Sequence, residues 1–203
     1  DGTFRPDQTG RGKRPRAPHG DPIAMDKSQF STPRHAVAVI GAACSGAEAA
    51  ETFAKAGVFT VVFDQNARPF GKIEDGLPRW HKEQRAKEYE RINSKLGKPG
   101  VHFVPKVKLG RELQFEELVR DWGFSAVLLA NGAWKDRPVG VEGLDDYIGK
   151  GLVYQNPLVY WFNHYMEKGY DGPQYEMEDD SIVLGGGLAS IDVVKIMMIE
   201  TVG

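Results

Sequence analysis

Ala36 to Asp64 reads AVAVIGAACSGAEAAETFAKAGVFTVVFD. Its first five residues, AVAVI to Ile40, form a short apolar run rich in β-branched side chains, the composition of a buried parallel strand. Gly41 stops the run. Ala47 to Ala56, AEAAETFAKA, is dense in strong helix formers, and the Gly57 that follows suits a helix C-cap. Val58 to Phe63, VFTVVF, then reads as a second buried strand. A strand, a loop, a helix and a strand in about 30 residues force a parallel pair joined by a crossover, which is right-handed in nearly all folds.

Strand and helix signals keep alternating outward from this unit. Lys82 to Leu96 is a charged amphipathic helix candidate, Val101 to Val104 a short strand, and Lys106 to Leu109 a further strand candidate. Phe115 to Asp121 reads as a short helix, Ser125 to Ala130 (SAVLLA) as another buried strand, and Asn156 to Glu167 as an aromatic-rich helix. Ser181 to Leu184, SIVL, opens a second strand-loop-helix unit that runs into Ala189 to Ile199. The order predicts an α/β protein with a Rossmann-like, doubly wound sheet.

Composition sets the bounds on function. With 203 residues and 41% hydrophobic content the chain builds a real core. The 26 Lys and Arg face 28 Asp and Glu, so no global field recruits nucleic acid or an anionic membrane. No stretch approaches the roughly 18 consecutive apolar residues of a membrane span, and no secretory signal is present, so a cytoplasmic protein is expected. Cys44 is the one cysteine, which excludes an internal disulfide framework, a Cys-only metal cage and a CxxC redox pair within this chain. Any redox chemistry must therefore reside on a cofactor. Residues 1–34 are rich in Gly, Pro, Arg and Asp, as in GRGKRPRAPHGDP from Gly10 to Pro22, and read as a flexible basic extension.

The chemistry concentrates at two strand-to-helix turns. Gly41-Ala42-Ala43-Cys44-Ser45-Gly46 lies where a helix N-terminus offers unpaired N–H groups and about half a positive charge to an anion such as a pyrophosphate. Gly41 permits the tight turn and Gly46 lets the helix pack closely on the sheet, while Ala43 departs from the GxGxxG pattern at its middle glycine. Asp64, 23 residues after Gly41, stands where that pattern expects an acid for the ribose hydroxyls, with Gln65 beside it. An ordinary βαβ turn with a chance acid is the plain alternative for this unit taken alone. Gly185-Gly186-Gly187-Leu188-Ala189-Ser190 repeats the pattern 144 residues later, with Gly185, Gly187 and Ser190 in the fingerprint places. Gly203 comes only 18 residues after Gly185, so the strand and ribose-reading residue of this second unit are expected in a longer chain or a partner.

Five separated stretches carry a family resemblance: VIGAACSGAEAA from Val39 to Ala50, VVFDQ from Val61 to Gln65, RPFGKIEDGLPRWH from Arg68 to His81, LLANGAWKDRP from Leu128 to Pro138 and LGGGLASIDV from Leu184 to Val193. Together they resemble the amino-terminal half of the flavoproteins that include adrenodoxin reductase, bacterial ferredoxin-NADP reductases of that type and the small subunit of glutamate synthase. The resemblance implies an FAD-binding domain begun over 35–138 and an inserted NAD(P)-binding domain begun over 139–203. It implies that Gly41, Ala43, Ser45 and Gly46 hold the FAD pyrophosphate, that Asp64 and Gln65 lie at the adenosine ribose, and that Gly71, Lys72 and Ile73 run beside the flavin. Asp64 stands where the family usually has Glu. Val107 then corresponds to the main-chain contact to adenine, and Ala130, Asn131 and Gly132 to the turn beside FAD, with Asn131 in the place of the family's common Thr. Gly185, Gly187, Leu188, Ala189 and Ser190 correspond to the loop for NADP or NAD, and His81 to a histidine near the flavin that handles a proton.

That resemblance implies an oxidoreductase that passes electrons between NAD(P)H and a ferredoxin-like or iron-sulfur carrier or subunit through FAD. A nucleotide-binding scaffold or electron-transfer subunit, degenerate at Ala43 and without turnover of its own, is the alternative. A single-site NAD-dependent dehydrogenase is a third reading and would put nicotinamide rather than flavin at Gly41. The run Lys82 to Arg91 reads as a solvated helix face with i,i+4 pairs or as a docking face for an acidic ferredoxin. Tyr160, Trp161, Phe162 and Tyr165 read as packing rather than a base-stacking platform. Cys44 reads as a small residue beside the cofactor and Asp192 as structural.

Overall fold

In a computed structural model of the chain, which describes residues 35–202, β-branched and aromatic residues build the sheet as the pattern requires. The extension expected over 1–34 lies outside the described residues. Strand β1 (Ala36–Ile40) pairs in parallel with β2 (Phe59–Phe63), placing Val39 opposite Val62 and Ile40 opposite Phe63. Strand β3 (Val101–Val104) adds to β2 and strand β4 (Ala126–Leu129) adds to β1, giving an all-parallel sheet in the order β3-β2-β1-β4.

Because successive side chains alternate across a strand, β1 feeds two cores at once. Val37 and Val39, with Val62 of β2, pack under helices α1 (Cys44–Lys55) and α3 (Lys82–Leu96), against Ala47, Ala50, Ile92 and Leu96. Ala38 and Ile40, with Phe63, face the other way, against Leu113 and against Leu118 of the short helix α4 (Phe115–Arg120). Burial on both faces is why β1 and β2 are nearly continuous apolar runs rather than alternating ones, whereas β4, expected to be buried, ends the described sheet and leaves Ala126, Leu128 and Leu129 exposed. The doubly wound α/β arrangement expected from the sequence is therefore the observed one, with helices on both faces of a parallel sheet.

A third apolar cluster joins helix α5 (Gln155–His164) to helix α6 (Leu188–Val202) through Leu158, Val159, Trp161, Phe162 and Ile196. The aromatic run of α5 is thus mainly packing, as expected; Tyr160 alone of its four aromatics is substantially exposed. Helix α5 stops at His164 rather than Glu167, because the chain turns there and the Glu167 N–H donates to the His164 carbonyl at 2.8 Å.

Two expected strands are not formed. Lys106 adopts φ 59°, in the left-handed region, so the backbone cannot run extended from Lys106 to Leu109, and that segment makes only an isolated bridge from Leu109 to Leu113. Ser181 to Leu184 is also irregular, with Ile182 83% and Leu184 68% exposed. A strand is defined by its ladder, and no described segment pairs with this one. The helix expected after it does form, but it begins at Leu188 and buries only Ile196.

The four-residue helix α2 (Lys72–Asp75) is too short to hold itself, since one turn fixes more dihedrals than its hydrogen bonds repay. Helix α5 braces it. Lys72 Nζ donates to Asn156 Oδ1 at 2.8 Å, Asn163 Nδ2 donates to the Glu74 and Leu77 carbonyls at 3.0 Å each, and His164 Nε2 meets Asp75 Oδ1 at 3.1 Å. From α3, Arg85 donates to the Glu74 carbonyl at 3.1 Å, and Arg68 pairs with the Glu74 carboxylate. Burial nevertheless pushes the Glu74 and Asp75 carboxyls above their ordinary values of 4.5 and 3.8, against the opposing pull of Arg68 on the first and His164 on the second.

Three substitutions test these observations. A carboxyl whose native value is raised contributes stability that is whole below the ordinary value and is lost as pH rises through the native one. Glu74→Gln should therefore gain stability relative to the wild type as pH rises from the ordinary carboxyl value of 4.5 toward neutrality, read from urea unfolding midpoints. Ile92→Ala, at a side chain 2% exposed, should cost about 2–5 kcal/mol. Leu188→Ala, at a side chain 84% exposed, should stay within about 0.5 kcal/mol in the same measurement.

Candidate functional site

At the carboxyl ends of the strands the backbone is packed too tightly for side chains. Gly41 has φ 100°, donates its N–H to the Phe63 carbonyl at 2.7 Å, and lies so close to β4 that a Cβ would overlap the Ala130 carbonyl. A Cβ on Gly46 would overlap the Gly41 carbonyl, so the second glycine brings the first turn of α1 directly onto the end of β1. That contact is the close helix packing expected of Gly46. Helix α1 starts at Cys44, with no side chain capping it and no acid in its first turn. No residue of the helix itself therefore offsets its positive end.

Asp64 fixes the loop from the neighbouring strand end. Its carboxylate is 7% exposed and accepts the Ala42 N–H at Oδ2 and the Asn66 N–H at Oδ1, both at 2.8 Å. Its carbonyl accepts the Val107 N–H at 2.8 Å. Asp64 thus ties together the loops after β1, β2 and β3, and the Val107 amide is engaged within the protein.

These strand ends surround a cavity of about 600 Å³. Gly41, Ala43 and Ser45 contribute from the first loop, Asp64 and Gln65 from the end of β2, and Gly71, Lys72 and Ile73 from α2 and the residue before it. Val107 contributes after β3, and Ala130, Asn131 and Gly132 after β4. A cavity of this size at the carboxyl ends of parallel strands is the usual setting of a ligand site in an open α/β sheet. Ala43 and Gly71 are packed side by side on its wall, since a Cβ on Gly71 would come 2.9 Å from the Ala43 methyl. The methyl that departs from the glycine pattern is thus met by a glycine beside it.

Other wall residues were not singled out by the sequence as cofactor neighbours. Trp134 lines the cavity, as do Ile40, Phe63, Lys108, Leu109 and Leu129. The three aliphatic residues and Phe63 look like ordinary core in the sequence, because membership of a wall depends on which strand end they reach. Trp134 had a signal in its place two residues after the Asn131-Gly132 turn. Cys44 is exposed and on the wall, consistent with its reading as a small residue beside a ligand.

The remaining candidates lie elsewhere. His81 does not line this cavity; it sits at the start of α3, where its Nε2 meets Asp192 Oδ1 of α6 at 3.1 Å. Lys195 of α6 lies over the adjoining Trp80 ring at 4.5 Å. The His81–Asp192 contact spans 111 positions, and no local pattern announces it. Gly185 and Gly187 lie in the irregular segment before α6, with Gly185 at φ 142°, and Leu188, Ala189 and Ser190 are the first residues of that helix, the Ser190 N–H donating to the Gly187 carbonyl at 3.0 Å. The structure brings none of these five to the cavity. Among the described residues no cluster of His, Cys, Asp and Glu is suited to a metal ion, and no helix is long and apolar enough to cross a membrane.

No protein-family profile matches the chain. The NADPH:adrenodoxin oxidoreductase of Arabidopsis thaliana mitochondria is 28% identical over 184 residues, covering 86% of this chain and 35% of that protein. The glutamate synthase [NADPH] small chain of Halomonas elongata is 31% identical over 170 residues, covering 82% of this chain and 34% of that one. Among solved structures, the FprA oxidoreductase of Mycobacterium tuberculosis superposes with a TM-score of 0.57 at 23% identity, over 64% of this chain and 29% of that chain, a likeness of fold. The chain spans about a third of the length of the curated relatives it matches. Over that matched span it is similar to pyridine nucleotide oxidoreductases of the adrenodoxin reductase and glutamate synthase small-chain type.

Proposed function

We propose that this chain is the amino-terminal part of an FAD-dependent NAD(P)H oxidoreductase, and that the cavity at Gly41 is its FAD site. One observation carries the reading: twelve residues from five separate stretches, Gly41 to Gly132, line a single cavity beside the uncapped end of α1. The fit is chemical as well as spatial. A diphosphate needs N–H donors and positive potential without a side chain in the way, and the loop offers an uncapped helix end flanked by glycine. Residues 35–138 would form the first part of the FAD domain, and residues 139–203 would open the NADP- or NAD-binding domain through the Gly185–Ser190 turn.

Each group has a part in this proposal. The first turn of α1 holds the diphosphate at Ala43, Ser45 and Gly46. Asp64 fixes the loop through Ala42 and lies at the ribose with Gln65. Gly71, Lys72 and Ile73 flank the ring system from one side, and Ala130, Asn131 and Gly132 from another. His81, oriented by Asp192, holds a proton at Nε2. Bound FAD supplies the exchange between a two-electron hydride donor and a one-electron carrier. The protein's own task is to orient the two nucleotides and exclude water between them. An iron-sulfur carrier or subunit is the proposed acceptor, supported by the name of the plant relative, an adrenodoxin oxidoreductase. A cytoplasmic setting completes the proposal.

Cys44→Glu separates ligand binding from folding. An acid in the first turn of a helix stabilises it by about 0.3–1 kcal/mol, so the unfolding midpoint should hold or rise. The same charge opposes a diphosphate, and FAD affinity should fall by about tenfold or more in a flavin fluorescence titration of the full chain. Equal FAD affinity in both proteins, or no flavin binding by the wild type, would refute the assignment of the cavity.

A further inference from the structure

The brace on α2 contains a histidine with two acidic partners. His164 Nε2 lies 3.1 Å from Asp75 Oδ1, and its Nδ1 lies 2.9 Å from Glu167 Oε1. One imidazole thus bridges two carboxyl groups from different segments of the chain, one at each ring nitrogen. The ring is shielded: its side chain is 12% exposed, and the Tyr160 ring lies against it at 4.5 Å. Arg85 and Arg68 approach the same acidic turn through Glu74. His164 itself is not on the cavity wall. Asp75, however, ends the four-residue helix that begins at Lys72, and Lys72, Ile73 and the preceding Gly71 are on that wall.

We propose that His164 is a positioning residue for the cavity: held through both ring nitrogens between Asp75 and Glu167, it anchors the carboxyl end of α2 and so sets where Gly71, Lys72 and Ile73 stand. The other bonds of the brace do not duplicate this one. Asn156 holds the Lys72 side chain and Asn163 holds two carbonyls, whereas His164 meets the Asp75 carboxylate. The anchoring stands on geometry alone; only its consequence for FAD rests on the function proposed above.

Two variants distinguish anchoring from space-filling. His164→Gln places an amide near Nε2 and keeps a donor for Asp75, while His164→Asn reaches only as far as Nδ1 and keeps the donor for Glu167. Hydrogen exchange of the α2 amides from Ile73 to Gly76, measured on the unliganded full chain, should accelerate about tenfold or more in the Asn variant and stay within about threefold in the Gln variant. Asp75→Ala removes the same contact from its other end and should reproduce the Asn result, which keeps the test intact if His164→Asn fails to fold. Equal acceleration in the Gln and Asn variants, or no acceleration in either, would overturn the proposal. FAD affinity should follow the exchange pattern, about tenfold weaker for Asn and near wild type for Gln. If the exchange pattern holds while the wild type binds no FAD, the anchoring stands and the flavin assignment falls; FAD binding with flat exchange gives the reverse.

Discussion

Everything at the active end of this molecule depends on a steric constraint: the absence of Cβ atoms where β1, β4 and the first turn of α1 converge. Gly41 touches the Ala130 carbonyl region and Gly46 touches Gly41, so three backbones meet with nothing between them. This closeness lets the parallel ladder run to the end of β1 and puts the start of the helix directly over it. Asp64 then secures the arrangement from the next strand, with both carboxylate oxygens committed to backbone amides of two different loops. A larger residue at either glycine would push the helix off the sheet and open the loop that Asp64 closes.

The sequence makes the first βαβ unit legible because each level of it agrees. Apolar runs of strand length, an Ala-rich helix and glycines at the junctions all demand the same structure, and it forms within a residue or two at most boundaries. The segments that misread lack that agreement. Ser181 to Leu184 has strand composition, but composition supplies only side chains; a strand also needs a neighbour, and its residues are mostly exposed. Lys106 to Leu109 fails for a local reason, the left-handed backbone at Lys106, which no side-chain pattern reveals.

The site divides along similar lines. Residues carried by loops at known strand ends converge on one cavity, because a parallel sheet delivers all its carboxyl ends to one edge. His81 belongs to no strand end, and its partner Asp192 comes from a helix far along the chain. The brace of α2 by α5 was likewise hidden, since Asn156, Asn163 and His164 look like polar interruptions of an aromatic helix until the helix is seen against Lys72 and Asp75. The aromatic face of α5 supplies its core and the polar face supports the cavity wall, so a single helix joins packing to the shape of the site.

The position of Cys44 has a practical side. As the sole thiol of the sequence, it is exposed on the cavity wall, one residue from the alanine that replaces the middle glycine. A maleimide dye would therefore attach at one defined place, and its rate of attachment would report occupancy of the cavity directly. These 203 residues come with their own labelling handle, needing no engineered cysteine.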